Sequence, residues 1–154
     1  MLLGGSPQWS IKSIRVNGLD LTDEVLPFGT RDQSLDDVDV TLTTHAAEVT
    51  GHILDARGQP VADYTVIVYA VDRQRWYRNS RYMKFTRPQL DGSFRVGGLP
   101  PGEYFVAAVD RMEGTAAFGE WQDPTVLESL VPGATRIVLA ESQRLSLSPR
   151  LIVR

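Results

Sequence analysis

With 154 residues, 42% of them hydrophobic and 23% charged, the chain is long enough to bury one core, and no shift in composition marks a second domain. A formal net charge of −3 argues against general affinity for nucleic acid or anionic membranes, since either needs an excess of Lys and Arg on the contacting face. The lack of cysteine excludes disulfides, thiolate metal sites and thiol nucleophiles.

Met1 to Pro7 has neither the basic lead nor the apolar run of a signal peptide, and no stretch reaches membrane-spanning length. Residues 1–8 therefore read as a flexible leader, residues 9–154 as a single domain, and the abrupt start as that of a piece of a longer exported chain. Trp9 to Val16 reads as a strand whose apolar parity changes between Trp9/Ile11 and Ile14/Val16, which predicts a bulge near Lys12-Ser13. Asn17-Gly18 predicts a tight hairpin returning through Leu19 and Leu21. From Thr30 to Asp39 the chain is acidic but lacks the Asp-x-Asp-x-Asp-Gly order of a calcium loop, so a solvated loop is expected. Val38, Val40 and Leu42 alternate with Asp39, Thr41 and Thr43, the period of a strand with one wet face. His45 and His52 are separated by an odd interval, which on a continuous strand points them to opposite faces and makes them poor partners at one metal.

Val49 to Val109 carries the strongest pattern. Strand-like runs at Val49–Leu54, Tyr64–Val71, Phe94–Val96 and Phe105–Val109 are separated by turn signals at Asp55–Pro60, Asp91-Gly92 and Pro101-Gly102. Asp-Gly suits a reversal between antiparallel strands, and Pro101-Gly102 suits the centre of a type II turn. Tyr104, two residues further on, is either a core aromatic or a tyrosine corner whose hydroxyl returns to the preceding backbone.

Between these runs, Arg73, Arg75, Arg78, Arg81, Lys84 and Arg87 interleave with Trp76, Tyr77, Tyr82 and Phe85. Guanidinium groups beside aromatic rings can stack on sugars or on a partner's surface, which makes Trp76, Tyr77, Arg78, Arg81 and Tyr82 the candidate ligand face. The competing reading is a strand over Ser80–Arg87 with Trp76 packing over the sandwich end and the arginines solvated. Beyond it, Asp123-Pro124 starts a short helix ending near Pro132-Gly133, whose Val126, Leu127 and Leu130 are expected to cover one end of the sandwich. Thr135–Ala140 and Arg144–Val153 read as closing strands around Glu141-Ser142-Gln143. The sum is an all-β, Greek-key two-sheet β-sandwich with one short helix near residues 124–131.

Gly51–Val61, Tyr64–Val68, Asp91–Val96 and Leu99–Tyr104 together resemble the carboxypeptidase regulatory-like domain, with the family-like core at residues 48–109. The resemblance implies a transthyretin-like (prealbumin-like), Ig-like sandwich, usually a non-catalytic module of larger exported or outer-membrane bacterial proteins. Enzymes on similar sandwiches need residues that are not aligned here. Intradiol dioxygenases require two tyrosines and two histidines around iron, whereas His45 and His52 both precede the relevant hairpin. Transthyretin-like hydroxyisourate hydrolases end in Tyr-Arg-Gly-Ser, where this sequence reads Leu151-Ile152-Val153-Arg154. Hydrolase nucleophile elbows need a Gly-x-Ser-x-Gly, which does not occur. The expectation is a non-catalytic accessory module, periplasmic, outer-membrane-associated or secreted. It has no cofactor or metal, and its partners are other domains of a parent protein or a separate protein. Carbohydrate binding through residues 73–87 is the alternative.

Overall fold

The computed structural model describes residues 8–24, 34–55, 57–110 and 119–153. The chain divides into two compact units, Met1–His45 and Ala46–Arg154.

In Met1–His45, β1 (Ser10–Val16), β2 (Leu19–Asp20) and β3 (Val38–Thr43) form an antiparallel sheet in the order β2-β1-β3. The β1–β3 register shifts between Ile11 and Ser13, so the bulge falls where the change of apolar parity predicts it. Asn17 and Gly18 both take positive φ, 49° and 78°, and Val16 pairs Leu19 across them, a two-residue hairpin loop. Residues 1–7 of the leader expected at 1–8, and residues 30–33 of the acidic run, lie outside the described residues.

Ala46–Arg154 is an all-β, two-sheet sandwich with one short helix. Its strands are β4 (Ala47–His52), β5 (Thr65–Ala70), β6 (Met83–Thr86), β7 (Ser93–Leu99), β8 (Gly102–Val109), β9 (Thr135–Leu139), β10 (Arg144–Leu147) and β11 (Leu151–Ile152). One sheet has the order β10-β4-β7; the other runs β11-β8-β5-β6, with β9 also on β8. The chain crosses between the sheets from β4 to β5, β6 to β7, β7 to β8, β9 to β10 and β10 to β11, while β5–β6 and β8–β9 stay paired within the larger one. The Asp91-Gly92 reversal (Gly92 φ 77°) delivers the chain from β6 in the larger sheet to β7 in the smaller one. Pro101-Gly102 likewise sends β7 over to β8. Gly102 sits at φ 155°, far from the value near +80° of a type II turn, so this is an open corner between layers.

β5 explains why the run from Tyr64 is apolar throughout. All six of its residues are buried, with Val66, Val68 and Ala70 facing the inter-sheet core and Ile67 and Tyr69 facing a second core on the opposite side. β8 divides in the same way: Tyr104, Val106 and Ala108 go inward, Ala107 and Val109 outward. The second core is closed by α1 (Pro124–Leu130), through Leu127 and Leu130, and by Trp76 and Trp121. The helix thus lies against the outer face of the larger sheet, adding a third layer, and does not plug the sandwich end. The reason is that the larger sheet presents Ile67, Tyr69 and Met83 outward, an apolar face that must be covered. Asp123 caps the helix, accepting from the Thr125 N–H at 2.7 Å, and Pro124 takes the position where a missing N–H costs nothing.

Tyr104 is a tyrosine corner: its hydroxyl donates to the Pro100 carbonyl at 2.7 Å, pinning the crossing between sheets. Tyr104→Phe keeps the buried ring and deletes that bond. Loss of about 1 kcal/mol in denaturant unfolding is expected; an unchanged midpoint would mean the corner hydroxyl does not hold the crossing.

The closing segment departs from its predicted form. Arg144–Val153 is not one strand: β10 adds parallel to β4 in the smaller sheet, and β11 adds parallel to β8 in the larger one. Pro149, between them, has no N–H for a ladder, and the chain changes layer there. Val153 is consequently 76% exposed.

Candidate functional site

The aromatic and basic insert folds back onto the larger sheet. Arg73–Arg75 form a single 3-10 turn, capped by the Asp72 carboxylate, which accepts from the Gln74 N–H at 3.0 Å. This turn drives Trp76 inward. Its indole N–H donates to the Ala70 carbonyl at 2.7 Å, its ring meets Tyr69 edge-on at 5.5 Å, and only 7% of it is exposed. Tyr82, at 6% exposure, is overlaid by the Arg75 guanidinium 3.8 Å from its centroid and by Arg81 at 4.9 Å, and Arg81 also donates to its hydroxyl at 3.0 Å. Of the five candidate ligand residues, then, Trp76 and Tyr82 are buried, Tyr77 and Arg81 are half-buried, and Arg78 is exposed. Trp76 and Tyr82 are thus core side chains, and arginines already occupy the space above Tyr82. Trp76 packs in the second core and not over the sandwich end.

Two of the insert's arginines, Arg73 and Arg75, are ion-paired. Arg73 grips Glu128 on α1 through two bonds of 2.8 and 2.6 Å, which holds the Glu128 carboxyl below its ordinary range and Arg73 above its own. Beneath them, the Tyr69 hydroxyl donates to the Leu127 carbonyl at 3.1 Å; burial, helped by nearby Glu128, raises its pKa well above that of a free phenol. A small cleft of about 180 Å³ lies beside Tyr82, bordered by Asp72, Arg75, Glu103 and Tyr104. Arg75 reaches Asp72 at 3.4 Å and Arg136 reaches Glu103 at 2.8 Å, so the charges at its rim neutralise one another. Buried polar side chains among the described residues all have partners. His45 is exposed after β3, its backbone N–H bonded to Thr43 Oγ1, and His52 is exposed at the end of β4.

The Met1–His45 unit holds the surface that the residue patterns did not single out. Directly opposed residues of an antiparallel pair share a face, and the register sets Leu19 beside Val16 beside Val38, Ile14 beside Val40, and Ile11 beside Leu42. One face of the sheet is therefore aliphatic. Leu19 is 65% exposed, Val40 54%, Leu42 50%, and Ile11 and Val38 45% each, while Ile14 is half-buried and Val16 buried. The other face carries Ser10, Ser13, Arg15 and Asp20 with Asp39, Thr41 and Thr43. Alternation in Val38–Thr43 reveals such a two-sided strand, but it cannot show that the apolar side is left open.

No family model matches the chain, and no curated protein matches it. Among solved structures, a candidate carbohydrate-binding protein of Pseudomonas aeruginosa is similar at 11% identity and a TM-score of 0.41, over 71% of this chain and 89% of that one. The major pilin subunit of Bacillus cereus is similar at 10% identity and a TM-score of 0.46, over 75% of this chain, which spans 31% of the pilin. The dioxygenase domain of a dioxygenase carbohydrate-binding protein fusion from Streptomyces sp. SirexAA-E is similar at 15% identity and a TM-score of 0.35, over 69% and 81% of the respective chains.

Proposed function

We propose that this chain is a non-catalytic interaction module of the carboxypeptidase regulatory-like type, serving a larger exported bacterial protein, and that the β1–β3 sheet is its docking surface. The observation that carries the reading is the open aliphatic face formed by Ile11, Leu19, Val38, Val40 and Leu42. Contiguous apolar surface of this kind marks contact with another macromolecule. Covering each half-exposed side chain would contribute roughly 1 kcal/mol before the cost of association. A flat sheet face suits a protein surface better than a small solute, which needs concave walls. A framework role for Ala46–Arg154 agrees with how its polar aromatics are used: the hydroxyls of Tyr64, Tyr69 and Tyr104 and the indole of Trp76 each bond a backbone carbonyl. These groups hold turns and layers together and are committed to that task.

Paired substitutions Val40→Asp and Leu42→Asp test the docking surface in the full chain. A docking face is under no folding constraint, so the thermal midpoint should move by no more than a few degrees while binding of an apolar dye falls about twofold or more. A large fall in midpoint would show instead that these side chains belong to a core, and would remove the proposal.

A further inference from the structure

The docking reading leaves the chemistry of the partner open, and three features of the β1–β3 sheet narrow it. β3 is an edge strand, with β1 on one side and no ladder partner on the other among the described residues, so its outer N–H and C=O groups can receive an extended chain. It is also two-sided, with Val38, Val40 and Leu42 on one face and Asp39, Thr41 and Thr43 on the other. A strand added beside it must alternate in the same rhythm to continue both faces. Finally, the unit is acidic. Met1–His45 holds three basic residues against seven acidic ones, and Asp36 and Asp37 stand exposed immediately before β3. A second copy of this sheet would bring the same sign of charge to the contact, whereas a basic segment would be drawn to it.

We infer that the outer edge of β3 takes up an extended segment of a protein partner in which aliphatic residues alternate with lysine or arginine, added as a fourth strand. Its aliphatic side chains extend the Val38, Val40, Leu42 row, and its basic ones lie on the side of Asp39, close to Asp36 and Asp37. This inference rests on the docking reading above and adds the occupant and its mode of attachment.

The test titrates the full chain with three short synthetic peptides by calorimetry: alternating Val-Lys, alternating Val-Glu, and the Val-Lys peptide interrupted by proline. The Val-Lys peptide should bind about tenfold more tightly than Val-Glu, and its affinity should fall as salt is raised. Proline removes a ladder N–H, so the interrupted peptide should not bind measurably. Asp36→Asn with Asp39→Asn should erase the preference between the two charged peptides, and Asp36→Lys with Asp39→Lys should reverse it. Equal binding of both charged peptides, or binding of the proline peptide, overturns the inference. So does concentration-dependent dimerisation abolished by Val40→Asp, which would make a second copy the occupant. If neither charged peptide binds while Val40→Asp still lowers dye binding without lowering the thermal midpoint, the basic strand is removed as occupant and the docking face survives.

Discussion

Gly51→Ala is expected to destabilise the Ala46–Arg154 sandwich by about 3 kcal/mol, seen as a fall of roughly 10 to 20 °C in its thermal midpoint. Gly51 lies in β4 opposite both Leu147 of β10 and Phe94 of β7. A Cβ there would run into the Leu147 carbonyl oxygen and come within 2.8 Å of the Phe94 ring. The ring could turn aside, but the carbonyl belongs to the parallel ladder that fastens β10, so relief requires that strand to move. Gly58→Ala provides the comparison. Gly58 has φ 76° with nothing within 4 Å of an added Cβ, so only backbone strain applies, about 1 kcal/mol. If the two variants were equally stable, crowding at Gly51 would not be what keeps a glycine in the middle of β4.

The second large effect is expected at Leu127→Ala, a loss of about 2 to 5 kcal/mol. α1 has seven residues, too few to persist without tertiary contacts. Its hold on the sheet comes from Leu127 and Leu130, both essentially fully buried against Ile67, Tyr69 and the two tryptophans of that core. Truncating Leu127 leaves a cavity beneath the helix and should expose Trp76 and Trp121 in part. A red shift of tryptophan emission should therefore accompany the stability loss. Val126→Ala, a half-buried neighbour, should cost far less. Similar losses from the two would mean that the helix is not held by the Leu127 contact.

The turns were the most legible part of the molecule because their chemistry is local. Asn17-Gly18, Asp55–Pro60 and Asp91-Gly92 each encode a reversal in a few residues, and Asp55 closes its own loop by accepting from the N–H groups of Arg57 and Gln59 at 2.8 and 2.9 Å. The bulge in β1 was legible for a related reason, since one extra residue changes which side chains share a face. What alternation does not encode is which layer a strand joins or what covers it. Leu145, Leu147, Leu151 and Val153 keep one parity, yet β10 and β11 enter different sheets, and only Pro149 signals the break. Residues 73–87 show the same limit. Arginines and aromatics at mixed spacing fit an exposed platform as well as rings tucked under guanidinium groups, and the indole bond to Ala70 decides between them only in three dimensions. Val38, Val40 and Leu42 mislead in the opposite direction: their pattern is that of a buried face, and all three side chains are exposed.

The parallel pairing of β4 with β10 has a mechanical consequence. β4 begins the sandwich and β10 lies close to its end, so tension drawing the two ends of this unit apart would pull the neighbouring strands in opposite directions along their length. After the two-residue β11 ladder yields, the hydrogen bonds between Glu48–Gly51 and Arg144–Leu147 would be loaded together in shear and not opened one at a time. A sandwich wired in this way resists stretching through the height of its unfolding barrier, a property suited to a link carried in series between other domains.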